Sequence, residues 1–400
     1  MKRIIAQSRV VRFGPHPGRR AGNSEAGFAR LPLRIVLKTL KQKLTRQAVK
    51  YVGRATLAEG SLKGSQVPFR CLIVGGTLFS GYLLVQIFGQ SVTVVERRRI
   101  WIPSLKWLAK DPRPELDLII AILPQRYREE FRGIYDFCGP RDVKQVVKIT
   151  GSWEGVRKQF HRRKRQIANQ LELSQEFTCR ISNDPKDFEL FYHRMFVPHI
   201  KIQFGSYADI DSYEEMRKSF ESGFLLLLMS EGRAVVGYLC SIQDGVMSHR
   251  RTGVLEGDER YIRSGAQTAL SYFQIRLACE RGLRAVNLMM SNPFLNDGVY
   301  RSKREWGAEV SAATEDAHGE SFLAYFIPRA SEKIASFFER NPAIVWGEKG
   351  LMGVVGTEGD GKLTEEMKKS LLKKYYAPGL QGLMKLTPKS KTAVELPFEK

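Results

Sequence analysis

Residues 255–309 read LEGDERYIRSGAQTALSYFQIRLACERGLRAVNLMMSNPFLNDGVYRSKREWGAE, and this stretch decides the fold. Apolar residues recur at helical spacing over residues 266–279, and Gly282 follows at the position of a helix C-cap. Residues 285–290 form an apolar run of strand length, and Pro293 stops it. The order predicts a helix, a buried strand and then a polar loop at the carboxyl end of that strand, where α/β proteins commonly place their sites.

The segments GAQTAL, GLRAVNL and SNPFLNDGVYRSKREWGAE within this stretch resemble the GNAT-fold acyltransferases. The resemblance is to the branch with the FemAB-type aminoacyl transferases and the BioF2-like acetyltransferase domains. It spans residues 151–328, and its most specific piece is the loop PFLNDG at 293–298 followed by Lys303 and by WGA at 306–308. It implies an α/β fold with a GNAT-like mixed, mostly antiparallel sheet flanked by helices, preceded by a smaller degenerate lobe.

A helix N-terminus attracts phosphate through unpaired N–H groups and a positive dipole end. The usual phosphate loop of GNAT proteins, Gln/Arg-x-x-Gly-x-Gly/Ala, is not present, because the arginines here lack glycines at the required offsets. The resemblance implies acyl-CoA, such as acetyl-CoA, as the donor, whereas FemAB-type relatives use aminoacyl-tRNA. The residues that remain for donor binding are Arg260, Arg263, Ser264, Gly265 and Ala266, with Ser291 and Asn292 in the loop after the strand. The alternative for Gly265 is that it only provides a flexible start to the helix and binds no ligand.

Acyl transfer needs a base for the attacking amine, a polarised donor carbonyl and an acid for the leaving group. Tyr300 is the predicted acid, because the resemblance places a tyrosine after the site-forming loop. Asp297 is predicted as a base or as an anchor for an acceptor ammonium, and the alternative is that it caps the helix beginning at Gly298. His199 is a second predicted base, since a neutral histidine suits that role. A packed tyrosine and a structural histidine are the alternatives.

The same segment offers groups that could bind a substrate. Asn296 presents an amide, although asparagines in loops often only close turns. Lys303 lies one helical turn after Tyr300, so the two side chains are expected to face the same way. The lysine could bind a phosphate or an acceptor carboxylate. Trp306 completes the predicted substrate-binding set.

Composition sets further bounds. The chain has 400 residues, of which 43% are hydrophobic and 26% are charged. A chain of this length and hydrophobic content can form two domains, each with its own core. Five widely spaced cysteines indicate reduced core residues in a cytoplasmic protein. No metal is expected, because Cys-x-x-Cys, His-Glu-x-x-His and histidine clusters are missing from the sequence. Residues 356–362 spell Gly-x-x-x-x-Gly-Lys, but Leu363 stands where a P-loop has Ser or Thr.

The formal charge of +22 is concentrated at the N-terminal end, where residues 1–70 hold sixteen Lys and Arg against two Glu. Residues 1–30 are expected to be flexible, and their Arg-rich, acid-poor composition also resembles an organellar transit peptide. Residues 31–60 predict a basic amphipathic helix. Its 31–55 part suits peripheral association with the anionic inner face of a membrane, and the alternative is that its apolar stripe packs on the protein.

Residues 71–150 are predicted to form the small α/β lobe. The uncharged run 71–89 has membrane-spanning length, but glycines and Gln86 interrupt it, so two or three strands are predicted there rather than a transmembrane helix. A continuous charged helix is expected over 153–173.

The acyltransferase domain is predicted over 151–328, with 309–314 and 321–327 as a terminal hairpin. Residues 329–400 are expected to form a helical extension and a tail.

These observations favour an acyltransferase that moves an acyl or aminoacyl group from an activated donor to an amine of a small-molecule or lipid-linked acceptor. Transfer from aminoacyl-tRNA is the first alternative, because the basic cluster at 158–165 could bind the phosphates of tRNA. A GNAT-like adaptor without catalytic activity, which binds a membrane or polyanion, is the second. The alternative for the basic cluster at 158–165 is that it forms a solvent-exposed helix that binds no partner.

Overall fold

The computed structural model describes residues 52–110, 115–174, 176–205, 208, 210–313, 321–357 and 364–398. The compact unit that begins at Val52 contains three sheets. The strands are β1 (Val52–Ser61), β2 (Pro68–Val74), β3 (Thr93–Trp101), β4 (Leu118–Pro124), β5 (Phe137–Pro140), β6 (Val143–Lys148), β7 (Thr178–Ser182), β8 (Phe224–Ser230), β9 (Arg233–Gln243), β10 (Val246–Val254), β11 (Ala285–Ser291), β12 (Glu309–Ala312), β13 (Ser321–Phe326), β14 (Ala343–Gly347), β15 (Gly350–Gly356), β16 (Leu380–Thr387) and β17 (Ser390–Pro397).

Helices flank these sheets, and short 3-10 turns at Ile102–Ser104 and Leu255–Gly257 and a π-helical turn at Phe191–Phe196 join some of them. The α-helices are α1 (Thr77–Phe88), α2 (Leu105–Lys110), α3 (Tyr127–Glu130), α4 (Trp153–Gln159), α5 (Arg162–Leu173), α6 (Pro185–Leu190), α7 (Val197–Phe204), α8 (Tyr213–Glu221), α9 (Glu259–Arg263), α10 (Ala266–Glu280), α11 (Gly298–Arg304), α12 (Glu332–Arg340) and α13 (Glu365–Tyr375).

The first sheet has the strand order β3-β1-β2-β4-β13-β5. Its only parallel pair among the described strands is β2 with β4. Helices α1 and α12 share an apolar core with it, in which Phe69 stacks on Phe337 with ring centroids 5.3 Å apart. The opposite face has a second core built around Phe131 and Phe326.

The second sheet has the order β12-β6-β11-β10-β9-β8-β7, and β10 with β11 is the parallel pair of the strands described there. Helix α10 connects the two parallel strands and buries Leu270, Ile275 and Ala278 against the sheet. The predicted fold class is confirmed, because the sheets are mixed, mostly antiparallel and flanked by helices.

The predicted domain boundary at residue 150 does not separate the two sheets. Strand β6 precedes it in the chain but pairs with β11 and β12, whereas β13 follows far behind it and pairs with β4 and β5. The hairpin predicted over 309–314 and 321–327 is therefore wrong, because its two strands, β12 and β13, lie in different sheets. The second sheet thus contains β6 from the part of the chain before residue 150, and the first sheet contains β13 from the part after it.

The uncharged run 71–89 is not a set of strands. Strand β2 ends at Val74, and α1 follows after two glycines. Phe79, Leu83 and Ile87 recur at helical spacing and face the core, which is the pattern that favours a helix. None of the helices in the described residues is both long and apolar enough to cross a membrane.

Three other expectations differ from the structure. Residues 52–60 belong to strand β1, so the helix predicted over 31–60 does not reach residue 60, and residues 1–51 lie outside the described residues. The charged helix predicted over 153–173 is two helices, α4 and α5, because the backbone at Phe160 and His161 is extended. The C-terminal segment is not only helical, since β14-β15-β16-β17 form a third sheet.

Candidate functional site

The parallel strands β10 and β11 separate after three paired residues. Their register is Val246 with Ala285, Met247 with Val286 and Ser248 with Asn287, and then their pairing ends. Strand β10 continues beside β9 and β11 continues beside β6. Both strands are irregular at this point, with a register shift between His249 and Arg251 and another between Asn287 and Met290. The result is a wedge between two strands of one sheet, at their carboxyl ends.

The irregularity in β11 has a local cause. Met289 adopts a left-handed conformation with φ of 62°, which is uncommon for a residue other than glycine. Its N–H donates to Oδ1 of Asn287 at 2.9 Å. This local bond within β11 takes the place of a hydrogen bond to a neighbouring strand, and it changes the direction of β11 at this point.

His249 stands at the start of the wedge. Its Nδ1 lies 3.0 Å from Oε1 of Gln274, and its ring stacks on Tyr238 at a centroid distance of 4.3 Å. Burial, and to a smaller extent the positive charge of Lys303, lower the pKa of His249 to about 4, while the bond to Gln274 opposes the change. Because the amide oxygen can only accept, the neutral ring carries its proton on Nδ1 and leaves a lone pair on Nε2.

Gln274 is a polar residue in the middle of the apolar core. It lies on α10 and is fully buried, and its Nε2 has no hydrogen-bond partner within the described part of the chain. A buried donor without a partner costs roughly 1–3 kcal/mol. Such groups are rare in folded proteins and are often associated with function.

Lys303 approaches the wedge from α11. Its Nζ donates to the carbonyl oxygen of Met290, at the end of β11, over 2.7 Å. Burial lowers the pKa of Lys303 from 10.5 to about 7, and the charge of Asp297 opposes the change in part. Near neutral pH this lysine is therefore present both as ammonium and as free amine, which is the condition for an efficient proton carrier.

Asp297 has a structural role that is visible in its contacts. Its Oδ1 accepts from the backbone N–H of Tyr300 at 2.8 Å, so it caps α11, the alternative considered from the sequence. Its Oδ2 accepts from the hydroxyl of Tyr82 at 3.2 Å. Tyr82 belongs to α1 of the first sheet, so this carboxylate links the two halves of the unit beside the wedge.

Tyr300 and Lys303 do not face the same way, contrary to the expectation from their spacing. Tyr300 is fully buried in an apolar cluster with Val310 and Tyr375, and its hydroxyl has no partner within the described residues. Burial raises the pKa of this hydroxyl. The structure therefore does not bring Tyr300 together with His249 and Lys303.

The donor-binding residues predicted on α9 and α10 lie at the amino end of α10. Gly265 begins that helix with φ of 84° and no side-chain cap, and a Cβ atom there would meet open space. Arg260 and Arg263 are exposed, and they pair with Asp258 and Glu259. Because α10 starts after β10, this uncapped helix end lies on the wedge side of the sheet. Ser264 donates to a backbone carbonyl, and Ala266 is buried.

The other predicted residues make structural contacts. Ser291 donates from Oγ to Gln145 Oε1 at 2.7 Å, and the Asn292 carbonyl accepts from the N–H of Phe294. Asn296 donates from Nδ2 to the carbonyl of Arg340. His199 is buried on α7, which packs against β10, and burial lowers its pKa.

Trp306 lies in the core. Phe160 meets it edge-on at 4.9 Å, and Nζ of the buried Lys164 lies 5.0 Å from its ring centroid.

His249, Gln274 and Tyr82 were not predicted as site residues. The signal for Gln274 was available, because it falls four residues after Leu270 on the apolar stripe of α10. Tyr82 could not be found from the sequence, because its partner is 215 residues away.

Comparison with known proteins gave matches to solved structures alone. No family model matches the chain, and neither does any curated protein. A crystal structure of FemX matches at 12% identity and a TM-score of 0.36 over 69% of this chain and 84% of that one. The structure of L-PGS from Bacillus licheniformis matches at 12% and 0.34 over 70% and 86%. A GCN5-related N-acetyltransferase from Sphaerobacter thermophilus matches at 16% and 0.30 over 64% and 71%.

Proposed function

We propose that this chain is an acyltransferase that transfers an acyl group from an activated donor to an amine. The proposal rests on one observation, the wedge between β10 and β11 with Lys303 at its edge. In this proposal the acyl group lies between the two strands beyond the point where their pairing ends. A lysine with a pKa of about 7 can take the proton that an attacking ammonium must lose.

Lys303 is the general base in this proposal. As a free amine it accepts the proton of the acceptor ammonium, and the neutral acceptor then attacks the donor carbonyl directly. The bond from the carbonyl carbon to the leaving atom breaks as the new amide bond forms, and the leaving group departs with a proton. No covalent enzyme intermediate is involved.

His249 and Gln274 serve the donor side. The Nε2 donor of Gln274 lacks a partner, so a carbonyl oxygen that took this hydrogen bond would be polarised and would also relieve the cost of the buried amide. Neutral His249 fixes the orientation of that amide through Nδ1. Gln274 is therefore proposed to bind the acyl carbonyl and His249 to hold Gln274 in place, and neither residue is proposed to carry the proton.

Acyl-CoA is the proposed donor. The uncapped amino end of α10, with open space at Gly265 and exposed arginines at 260 and 263, fits a pyrophosphate. Calorimetry and thermal unfolding of the full chain with acetyl-CoA test this, and we expect saturable binding and stabilisation. A Gly265→Asp variant, which adds a negative charge at the helix end, should lose the binding.

Aminoacyl-tRNA is a second candidate donor, and the exposed cations of α5 favour it. Arg162, Arg163 and Arg165 are exposed beside α11, because the N–H of His161 bonds to the carbonyl of Glu305. Protection by charged tRNA with no response to acetyl-CoA would favour this donor. If neither binds and the Lys303→Arg variant keeps its cellular function, the chain is better described as an adaptor for a membrane or polyanion.

A further inference from the structure

Gln145 is a fully buried polar residue of β6, the strand that pairs with β11. A buried amide costs free energy unless its oxygen and its NH2 group find hydrogen-bond partners. Gln145 finds both. Its Oε1 accepts from the hydroxyl of Ser291 at 2.7 Å, and its Nε2 donates to the backbone carbonyl oxygen of Tyr300 at 3.1 Å. The cost of burying this amide is therefore offset by two hydrogen bonds that lead to two different elements.

Gln145 also stands opposite the irregular part of β11. Its neighbours in β6, Lys144 and Val146, pair with Met290 and Asn287 of β11. Two residues of β11 therefore face Gln145 alone, which is the arrangement of a β-bulge, and a bulged strand bends where the extra residue is inserted. Gln145 thus lies at the position in β6 where the direction of β11 changes.

The two partners of Gln145 belong to the strand and the helix that hold the proposed base. Ser291 ends β11, and Tyr300 lies in the first turn of α11. Lys303 follows in the same helix, and its Nζ donates to the carbonyl of Met290 over 2.7 Å. The hydrogen bonds of Gln145 and Lys303 therefore form a closed network that connects β6, α11 and β11.

A neutral amide can hold this network together in both protonation states of the lysine. The bond from Nζ to Met290 is charge-assisted while Lys303 is an ammonium, and it weakens when the amine has lost its proton. The lysine side chain also has a flexible four-carbon stem, so its own bond fixes α11 poorly. Gln145 does not titrate, and its two bonds persist when the lysine changes charge. The position of α11 relative to β11 thus depends on Gln145 when the free amine must be in place.

We propose that Gln145 is a positioning residue that holds the amine of Lys303 at the carboxyl end of β11. Its catalytic consequence rests on the proposed function, in which Lys303 is the general base. Misplacement of a reacting group by about 1 Å can cost about a hundredfold in rate. Gln145 acts through Lys303, since both ends of its amide are bonded within the protein.

The pKa of Lys303 reports whether its amine is in place. Burial lowers this pKa to about 7, and the charge of Asp297 at the start of α11 opposes the change. His249 of β10 is close enough for the charge of Lys303 to lower its pKa as well. Replacing Gln145 leaves both neighbouring groups in the chain, so a rise in the pKa of Lys303 indicates that the amine has become more solvated.

Competitive labelling of the full chain with acetic anhydride tests the positioning without any transfer reaction. The reagent modifies free amines, so the pH dependence of labelling at Lys303, measured by peptide mass spectrometry, gives the pKa of this lysine. We expect a midpoint near pH 7 in the wild type. Gln145→Met keeps the length of the side chain but loses both hydrogen bonds. It should raise the midpoint by about one pH unit or more, because a displaced α11 exposes the amine to water.

Val147→Ala is the matched control. Val147 lies two residues further along β6 and is also fully buried, but it packs in the core under α10. Its truncation destabilises the same strand, which urea unfolding measures, and should leave the labelling midpoint of Lys303 as in the wild type. Gln145→Asn is a second variant in case Gln145→Met does not fold. It keeps an amide that is one methylene too short to reach both partners, so it should raise the midpoint in the same direction.

Transfer kinetics then separate the positioning from the proposed function. With the small-molecule fraction of a cell extract as the acceptor pool, Gln145→Met should lower kcat for thiol release from acetyl-CoA about tenfold or more, with KM for acetyl-CoA within about twofold. A wild type that releases no thiol, together with a raised labelling midpoint in Gln145→Met, would refute the acyltransferase proposal and keep the positioning. Identical labelling midpoints in the wild type and both Gln145 variants would overturn the positioning, whatever the kinetics show.

Discussion

At the scale of single residues, the site depends on how burial changes the chemistry of ordinary side chains. Lys303 was predicted from the sequence as a substrate-binding residue and His249 was not, yet both lie at the wedge and have lowered pKa values. Burial is the main cause for each, because a low-dielectric environment disfavours the charged form of a base. Neighbouring charges modify the result: the charge of Lys303 contributes to the low pKa of His249, and the charge of Asp297 opposes the change at Lys303.

The lowered pKa of Lys303 makes stability depend on pH. Between about pH 7 and pH 10.5 the unfolded chain binds a proton at Lys303 that the folded chain does not, so stability rises with pH in that range. We expect the wild type to gain about 2 kcal/mol between pH 7 and pH 9 relative to Lys303→Met. Urea unfolding at the two pH values measures the difference. Equal pH dependence in both proteins would mean that the lysine is solvated.

Asp297 is expected to act as a cap rather than as a base. Asp297→Ala removes the acceptor for the N–H of Tyr300 and for the hydroxyl of Tyr82, and should lower stability by about 1–2 kcal/mol. Asp297→Asn keeps an acceptor oxygen and should retain most stability and activity. Thermal unfolding and transfer rates are the measurements. An Asp297→Asn variant that is fully stable but inactive would show that Asp297 acts as the general base.

At the scale of elements, the loops that join helices to strands hold the site in place. Helix α11 is fixed at its start by Asp297 and at its end by the turn Trp306–Gly307. Gly307 has φ of 74°, and a Cβ there would come within 2.6 Å of the backbone oxygen of Gln159. The most specific part of the sequence motif is therefore explained in part by chain geometry, before any contact with a substrate.

Gly307→Ala should be costly even though the change is one methyl group. The left-handed backbone and the clash with Gln159 together are expected to lower stability by about 2–3 kcal/mol. Gly298→Ala is the matched control, because its backbone is not left-handed and its Cβ would meet open space. Chemical denaturation of both variants measures the effect. Equal stabilities would show that the turn can relax.

At the scale of the whole molecule, the exchange of β6 and β13 ties the two large sheets together. Each sheet is incomplete without a strand from the other half of the sequence. The site lies where this exchange brings Tyr82 of α1 against the loop of the second sheet. The unit is expected to behave as one body rather than as two lobes joined by a linker.

Unfolding of the full chain should accordingly show one transition for both sheets. Tryptophan fluorescence reports on both large sheets, because Trp101 lies in strand β3 of the first and Trp306 packs in the core of the second, and far-ultraviolet circular dichroism reports on all elements. Coincident urea curves are expected, and a chain cut at residue 150 should fail to fold as two separate pieces. Two resolved transitions would contradict the strand exchange.

The sequence predicted what local pattern can encode. Helix α10, strand β11 and the capped start of α11 were found because their periodicity and cap residues are local signals. The partners of β6 and β13 could not be predicted, because strands that pair across more than 130 residues carry no local sequence pattern that identifies the partner. Helix α1 was missed because its glycines indicated turns.

The candidate site was predicted only in part. The loop and Lys303 were identified, but spacing alone did not show that Tyr300 and Lys303 diverge on α11. No local pattern in the sequence marks His249. It becomes part of the site only because β10 separates from β11 at this residue.

The most direct test is the pH dependence of thiol release from acetyl-CoA by the full chain, with the small-molecule fraction of a cell extract as the acceptor pool. Wild-type activity should rise to a plateau above about pH 7, as the pKa of Lys303 requires. Lys303→Arg keeps the positive charge but cannot release its proton, so it should lose activity at least about a hundredfold at every pH. A Lys303→Arg variant as active as the wild type, with the same pH profile, would contradict the account.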